Sequence, residues 1–335
     1  MSVRGALAVA PPATTIAASS FNHALGVVAD RWTLQILRDS FAGVRRFQQF
    51  QACSGAPRAT LADRLKGLVD RGVLERVRYQ DAPPRYEYRL SAQGTDLFGA
   101  ALLLLGWEQL WMPRSAGLQP LRHESCGHPL SPELTCSLCG EPVTFENTEY
   151  EILPLREKAC APAALRRRLS SDVITDRWSL LVLGAGFLGL RRYDDIQNAV
   201  GIATNILAHR LMQLVEHGMC SRRQYFEHPP RYEYHLTQKG RDLFPAAFML
   251  MQWGDRWLAP GYGGNLRVRH KECGWLVRGV VSCRSCGEPL RPHEVRIPRE
   301  AQSQSQLGTT GSISARTQRR SRARRTQRPV GCRVR

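Results

Sequence analysis

The sequence predicts an α+β protein in which one unit of helices and a β-hairpin occurs twice, each time followed by a small cysteine-rich segment. Three observations predict this class: an internal repeat, apolar spacing that changes from helical to strand-like within each repeat, and two identically spaced sets of histidine and cysteine. A length of 335 residues with 43% hydrophobic content is enough for more than one buried core.

The repeat relates residues 30–111 to residues 176–257. A shift of 146 positions aligns the two stretches without a gap, and 36 of the 82 aligned residues are identical. The identities include the motif DRW at 30 and 176 and the motif PPRYEY at 83 and 229. One folding unit has therefore been duplicated.

Each repeat opens with three predicted helices. In the first repeat Leu34, Leu37 and Phe41 recur at helical spacing before a glycine, which predicts the first helix. A second helix is predicted over about 47–53. The third helix carries an apolar stripe made of Leu61, Leu65, Leu68 and Val69, matched in the second repeat by Leu207, Leu211, Leu214 and Val215.

A hairpin and a last helix complete each repeat. VLERVRYQ and YEYRLS have strand character, and the two prolines between them predict an exposed turn over 81–85. A single helix is predicted over about 91–111. This order of elements is that of a winged helix-turn-helix, a fold that serves DNA binding and also structural or protein-binding roles.

The third helix is predicted to present a polar face to a DNA major groove. With its stripe buried, the helical period turns outward Ala59, Asp63, Lys66 and Asp70 in the first repeat, and Asn205, His209, Met212 and Glu216 in the second. Asn205 suits a bidentate contact with adenine and Asp63 suits cytosine. Arg58 and Thr204, at the helix starts, are candidates for phosphate or base contacts, and Lys66 and His209 complete the candidates on this helix.

Further arginines surround this helix in each repeat. Arg64 and Arg210 lie beside the stripe, where a structural ion pair or a packed stem is favoured over base contact. Phosphate contacts or plain solvation are expected at the start of the second helix for Arg45, Arg46, Arg191 and Arg192. Arg85 and Arg231 follow the proline pairs at the hairpin tips, where a guanidinium reaches backbone phosphates or a narrow minor groove.

Charge points to a polyanionic partner. The net charge is +18, and residues 301–335 hold nine arginines and no acid, so the tail and the remaining body are both basic. We expect the tail and residues 1–20 to be flexible or disordered. No apolar stretch is long enough to cross a bilayer.

The cysteines predict zinc. His123, Cys126, Cys136 and Cys139 follow the pattern HxxC, nine residues, CxxC, which recurs with the same spacing as His270, Cys273, Cys283 and Cys286. Each set is expected to close one structural zinc site within its own ribbon, with unmetallated thiols or disulfides as the alternative. Four protein ligands leave no open position for water or substrate, which disfavours catalysis by the metal.

Cys53 is a separate candidate. It lies near the helix-turn-helix beside basic residues, where a thiolate switch could respond to oxidants, although a merely tolerated cysteine is favoured. The equivalent residue of the second repeat is Ala199.

The motifs DRWTLQILRDSF, RRFQQF, GIATNILAHRLMQLVEHG and PPRYEYRLSAQG resemble the HxlR-type family of bacterial regulators, which belongs among the MarR-like winged helices. The resemblance covers about 21–111 and 167–257, and the second repeat is the closer match. It implies a transcriptional regulator whose modules associate through terminal helices and bind two-fold-related sites on double-stranded DNA. With two modules in one chain, we expect either an intrachain pseudo-dimer that reads half-sites roughly 10 bp apart or a homodimer with four modules.

The predicted organisation is two tandem winged helix-turn-helix modules, each followed by a zinc ribbon: flexible N-terminus 1–20, module 21–113, ribbon 120–150, module 160–259, ribbon 266–298 and tail 301–335. We expect a sequence-specific regulator in the cytoplasm, at the nucleoid, with recognition helices over 58–71 and 204–217. The alternative is a non-specific nucleic-acid-binding or scaffold protein. No enzyme is expected, since no convergent nucleophile, acid–base pair or phosphate loop is visible.

Overall fold

A computed structural model describes residues 15–112, 121–153, 176–258 and 264–296. All of them belong to one compact unit that ends at residue 297. The predicted arginine-rich tail, the first 14 residues, Cys160 and Cys332 lie outside the described residues. Within those ranges, no helix is long and apolar enough to cross a membrane.

α1 (Ser20–Val28) precedes the first repeat. The first repeat and the segment after it contain α2 (Arg31–Phe41), α3 (Phe47–Ser54), α4 (Arg58–Asp70), β1 (Leu74–Gln80), β2 (Arg85–Leu90), α5 (Ala92–Thr95), α6 (Phe98–Trp111), β3 (Arg122–His123), β4 (Pro132–Cys136) and β5 (Thr148–Ile152). The second repeat and its following segment contain α7 (Arg177–Phe187), α8 (Tyr193–Val200), α9 (Thr204–Glu216), β6 (Cys220–Phe226), β7 (Arg231–Leu236), α10 (Gln238–Arg241), α11 (Phe244–Trp257), β8 (Leu266–His270), β9 (Gly279–Cys283) and β10 (Val295–Arg296).

Local sequence signals set the helix boundaries. The carboxylate of Asp30 accepts a hydrogen bond from the backbone N–H of Trp32 at 3.2 Å, and α2 begins there. Asp176 caps α7 in the same way through the N–H of Ser179 at 2.9 Å. An aspartate suits these positions because it accepts from the free N–H groups of a first turn.

The prediction of one helix over 91–111 is wrong, since the chain forms the short α5 and then α6. Gly94 in α5 lies so close to the hairpin that a Cβ built on it would be 2.2 Å from the carbonyl oxygen of Val73. That approach is open only to a residue without a side chain. The chain then restarts its last helix at Phe98, and the corresponding break in the second repeat follows Gly240.

Each hairpin is an antiparallel pair that folds back on the helices of its own repeat. β1 pairs with β2 and β6 pairs with β7 in the same register, with Leu74 opposite Leu90 and Cys220 opposite Leu236. The backbone N–H of Tyr88 donates to the carbonyl of Arg45 at 2.7 Å, and Tyr234 repeats this contact with Arg191 at 2.8 Å. The hairpin therefore lies directly beside the start of the second helix in both repeats.

The two repeats contact each other mainly through their last helices and α1. α6 packs against α11, and α1 packs against α11 as well. The indole N–H of Trp107 donates to the carbonyl of Lys239, and that of Trp253 donates to the carbonyl of Gln93, both at 2.8 Å. Lys239 is the repeat counterpart of Gln93, so the contacts recur with the roles of the repeats exchanged. Such exchange is the mark of a two-fold interface.

The two cysteine-rich segments pair with each other. β4 pairs with β9 so that Leu134 lies opposite its own counterpart, Val281. β5 pairs with β8, and β3 pairs with β10. The prediction that each segment folds as a ribbon of its own is therefore wrong. The physical reason is that β3, β4 and β5 each pair with a strand of the other segment.

The segment just before α1 is buried, although the sequence predicts flexibility through residue 20. Ile16 is 1% exposed, and its backbone N–H donates to the carbonyl of Ala199 at 3.0 Å. The side-chain amide of Asn265 donates to the carbonyl of Thr15 at 2.7 Å. The expectation is thus wrong for residues 15–20, because this segment inserts among elements of the second repeat.

Candidate DNA interface and metal centres

The third helix of each repeat buries its leucines and exposes the opposite face, as the periodicity predicts. Leu61, Leu65 and Leu68 are fully buried in α4, and Leu207, Leu211 and Leu214 are at most 1% exposed in α9. The eight residues predicted to face outward are all exposed: Ala59, Asp63, Lys66, Asp70, Asn205, His209, Met212 and Glu216. Both helices therefore present a free polar face.

The exposed face of α9 begins at Thr204 and Asn205. The Thr204 hydroxyl accepts a hydrogen bond from the side-chain amide of Gln197 at 2.9 Å, and its carbonyl accepts from the hydroxyl of Tyr193 at 2.6 Å. Thr204 thus ties the start of α9 to α8, which is a positioning role. Asn205 and His209 extend from the exposed side of the next turns.

The face of α4 differs in chemistry. The Asp63 carboxylate pairs with Arg64 at 2.5 Å, so a base contact by Asp63 competes with an ion pair. The guanidinium of Arg58 lies over the ring of Phe47 at 5.2 Å, which holds it near the helix start. Lys66 is exposed, while the equivalent residue of α9 is Met212. The exposed faces of α4 and α9 therefore differ in chemistry.

Arg64 and Arg210 are structural, as the sequence favours. Arg64 Nε lies 3.1 Å from Asp30 Oδ1, and Arg210 Nε lies 3.0 Å from Asp176 Oδ2. The side chain of Arg210 is 1% exposed, so it has no access to a base. Each arginine links the recognition helix to the carboxylate that caps the first helix of its module.

The predicted arginines around α4 and α9 are all exposed: Arg45, Arg46, Arg85, Arg191, Arg192 and Arg231. The guanidinium of Arg46 lies 4.6 Å from the ring of Tyr79, and Arg192 lies 5.2 Å from that of Tyr225. These are equivalent pairs, so the hairpin steadies the same arginine in both repeats. Arg85 and Arg231 are the first residues of β2 and β7, at the hairpin tips.

The sequence reasoning missed a second set of hairpin arginines. Arg76 in β1 and Arg222 in β6 are exposed. Their guanidinium groups lie 3.7 and 4.3 Å from the ring centres of Tyr86 and Tyr232. Arg78 and Arg223 are exposed nearby. These arginines could have been predicted, because arginine recurs every second residue along VLERVRYQ, which is the period of a strand.

The eight predicted metal donors form two clusters, and each cluster combines one pair from each repeat. The first cluster consists of His123, Cys126, Cys283 and Cys286, and the second of Cys136, Cys139, His270 and Cys273. The donor atoms within each cluster lie within 4.8 Å of one another. The expected grouping of His123 and Cys126 with Cys136 and Cys139 is therefore wrong.

The spacing of the donors fits a tetrahedral ion. In the first cluster His123 Nδ1 lies 3.4 Å from both Cys126 Sγ and Cys286 Sγ, and Cys126 Sγ lies 4.0 Å from Cys283 Sγ. A zinc ion with bonds of about 2.3 Å to sulfur and about 2.0 Å to nitrogen has tetrahedral edges of roughly 3.5–3.8 Å. The donor set of three thiols and one imidazole also matches structural zinc.

The second cluster has the same geometry. His270 Nδ1 lies 3.3 Å from Cys139 Sγ and 3.6 Å from Cys273 Sγ. Its other ring nitrogen, Nε2, lies 3.3 Å from the carbonyl oxygen of Pro142. A donated hydrogen bond there places the ring proton on Nε2 and leaves Nδ1 free to bind a metal.

Each donor pair lies in a tight turn that closes on a glycine. The residues after the four pairs are Gly127, Gly140, Gly274 and Gly287, with φ between 71° and 77°. In each turn the glycine N–H donates to the carbonyl of the first donor residue, at 2.7–2.8 Å. Glycine is required because other residues rarely adopt positive φ.

The two CxxC turns also favour the thiolate of their first cysteine. Burial acts to raise the pKa of Cys136, but hydrogen bonds from the backbone N–H groups of Leu138 and Cys139 bring the pKa below its usual value. Burial also opposes ionisation of Cys283, and the N–H groups of Ser285 and Cys286 likewise lower its pKa. Hydrogen bonds to the charged form stabilise it. None of the cysteines in the described ranges forms a disulfide.

Cys53 lacks the properties of a thiolate switch. It is exposed near the end of α3. Its pKa is raised by partial burial and by the nearby carboxylate of Asp39. A reactive thiolate needs a lowered pKa, so the candidate redox role of Cys53 finds no electrostatic support.

Comparison with known proteins decides the class of this chain. A model of the HxlR-like helix-turn-helix family matches it twice, over residues 27–116 and 173–262. The chain belongs to the HxlR-like helix-turn-helix family. The family resemblance read from the sequence motifs is confirmed, and the double match fits the tandem duplication.

Relatives of this HxlR-like chain are named as HTH-type transcriptional regulators. An uncharacterized HTH-type transcriptional regulator of Mycobacterium tuberculosis is 46% identical over 133 residues, which are 39% of this chain and 84% of that protein. The HTH-type regulator YvaP of Bacillus subtilis is 30% identical over 92 residues, which are 27% of this chain and 85% of that protein. A solved structure of a candidate transcription factor is 37% identical, covering 38% of this chain and 90% of that one, with a TM-score of 0.35.

The HxlR-like matches contain the recognition helices, hairpins and terminal helices but end before the metal donors. The first match ends at residue 116 and the second at residue 262, whereas the first donors of the two segments are His123 and His270. The histidine and cysteine clusters therefore lie outside the residues that the family model matches.

Proposed function

We propose that this chain is a sequence-specific regulator of transcription in which both repeats bind one duplex. The helices over 58–71 and 204–217 enter major grooves, and the hairpin tips at Arg85 and Arg231 contact backbone or minor groove. As a DNA-binding protein it acts in the cytoplasm, at the nucleoid. The observation that carries this proposal is the pair of exposed helix faces in one compact, two-fold-related body, within units of a helix-turn-helix family.

The two repeats bind DNA as the halves of a pseudo-dimer. Their tryptophan contacts recur with roles exchanged, as the subunits of a two-fold dimer do. Such dimers bind half-sites about one helical turn, roughly 10 bp, apart. In light scattering the protein–DNA complex then contains one chain of 37.7 kDa. Two chains per duplex would favour a homodimer with four modules.

The half-sites are unequal, because the two recognition faces differ. The second repeat sets most of the sequence preference, since Asn205 suits adenine in the major groove. The first repeat offers Arg58 and Lys66, which suit phosphates and guanine. The operator is therefore an asymmetric pair of sequences.

Selection of bound sequences from random duplex DNA tests this proposal. The wild-type protein should enrich two unequal half-sites, and Asn205→Ala should relax one of them, at a cost of about 1–3 kcal/mol for its preferred base. Arg191→Ala is the control, because loss of a phosphate contact weakens binding to all sequences and reduces the salt slope by about one. Uniform weakening by Asn205→Ala would contradict the assignment.

The alternative is a non-specific nucleic-acid-binding or scaffold protein. The same experiment separates the two functions when affinities for a selected site, random duplex and RNA are measured across salt concentrations. Equal affinity for all three would support the alternative and refute the regulator.

Each cluster holds one structural Zn²⁺ in this proposal. Three thiols and one imidazole at tetrahedral spacing support it, and four protein donors leave no position for a substrate. Protein purified without added metal should contain two zinc ions per chain by elemental analysis. A content near zero in fully reduced, folded protein would refute zinc as the resident metal.

A further inference from the structure

Both metal clusters bridge the two repeats. His123 and Cys126 follow the first repeat, and their partners Cys283 and Cys286 follow the second, while the other cluster has the reverse arrangement. We infer that the two zinc ions clamp the repeats together and that specific DNA binding depends on this clamp. The second part of this inference rests on the proposed function.

Metal binding and association of the repeats are linked because each cluster takes two of its four donors from each cysteine-rich segment. A single HxxC or CxxC pair offers two donors, and a structural zinc requires four. The four converge only when β4 lies beside β9 and the two segments are paired. An ion that binds the associated form alone stabilises that form.

The clamp lies on the helices that join the repeats. The side chain of Gln252 in α11 exchanges two hydrogen bonds with the backbone of Gly279 in β9, at 2.9 and 3.1 Å. On α6, a Cβ built on Gly106 would lie 2.9 Å from the ring of Pro132 in β4. The paired strands therefore pack on α6 and α11, so a change in strand pairing would act on the α6–α11 contact that joins the repeats.

Zinc stoichiometry in paired cysteine variants tests the crosswise sites. Cys126→Ser with Cys283→Ser removes two donors from one cluster, and we expect one zinc to remain per chain. Cys126→Ser with Cys136→Ser removes one donor from each cluster, and we expect both ions to be lost to a competing chelator. The two variants are matched, since each lacks two thiols and shares one substitution.

If each site closed within one segment, the Cys126/Cys136 variant would keep one zinc and the Cys126/Cys283 variant would lose both. That result would refute the clamp. Cadmium substitution of the wild-type protein keeps the test decisive even where a variant fails to fold. Proton–cadmium correlation should connect one ¹¹³Cd signal to the β protons of both Cys126 and Cys283. A signal shared by Cys126 and Cys136 would refute the inference.

Binding of a selected operator tests the dependence of DNA recognition on the clamp. Removal of zinc should reduce affinity for the two-half-site operator by about tenfold or more, within the range of allosteric coupling, and returned Zn²⁺ should restore it. Random duplex is the control and should lose much less. If zinc removal leaves operator affinity unchanged while the cysteine variants show crosswise sites, the clamp stands and its effect on DNA binding is refuted. If the zinc-loaded protein does not distinguish operator from random duplex, the proposed function fails, and the stoichiometry still decides the clamp.

Discussion

Replacement of Arg210 by methionine should destabilise the protein strongly. Arg210 is 1% exposed, and its Nε lies 3.0 Å from Oδ2 of Asp176, which is itself 9% exposed. Asp176 also accepts from the N–H and hydroxyl of Ser179, at 2.9 and 3.0 Å. Methionine fills most of the space but leaves a buried carboxylate without its cation. Loss of one partner of a buried ion pair costs about 3–5 kcal/mol.

The equivalent pair of the first repeat is the matched control. Arg64 and Asp30 lie 3.1 Å apart but are 17% and 14% exposed, so water reaches the remaining carboxylate in part. Arg64→Met should therefore cost less than Arg210→Met, between about 1 kcal/mol for an exposed pair and about 3 kcal/mol for a buried one. Urea unfolding followed by circular dichroism, with zinc present throughout, measures both values.

A double variant isolates the charge itself. Arg210→Met combined with Asp176→Asn leaves no unpaired charge and should be more stable than Arg210→Met alone. A cost below about 1 kcal/mol for Arg210→Met, or equal costs in the two repeats, would refute the argument from burial. Sequence preference should not change in the folded variant, because the arginine has no access to DNA.

Three further outcomes follow from side chains in the described ranges. Trp257→Phe removes an indole N–H that donates to the carboxylate of Asp96 at 2.7 Å, so unfolding should become easier by about 1.5–3 kcal/mol; a loss under about 0.5 kcal/mol would count against this contact. Burial raises the pKa of Cys220 to about 12, so iodoacetamide at pH 8 should label the exposed Cys53 of the native protein and leave Cys220 unlabelled. Peptide mass spectrometry measures the labelling of each cysteine, and rapid labelling of Cys220 would contradict the prediction. Burial raises the pKa of Asp255, so the contribution of Asp255 to stability is greatest at acid pH and falls as the pH rises through its pKa in the folded protein. The stability of Asp255→Asn relative to wild type, measured by urea titration, should therefore increase from acid to neutral pH. A stability difference that does not depend on pH would disprove this prediction.

Local patterns carried much of the fold. The duplication follows from 36 identities at a shift of 146 residues, and the leucine stripes predicted which faces of α4 and α9 are buried. These features are predictable because helical period and side-chain polarity act within a few residues. The break between α5 and α6 was missed, since it depends on the contact of Gly94 with the hairpin.

The spacing of histidine and cysteine identifies the eight candidate metal donors, because each HxxC or CxxC pair and its following glycine form a turn within five residues. Which pairs come together depends on contacts between distant segments. Pairing within a segment and pairing across repeats satisfy the same local spacing, and the choice is made by strands that hydrogen-bond across the two-fold interface. The burial of Ile16 could not be predicted from the sequence for the same reason. Its hydrogen-bond partner, Ala199, lies in the second repeat, and a contact between distant segments produces no periodic pattern in the sequence of either segment.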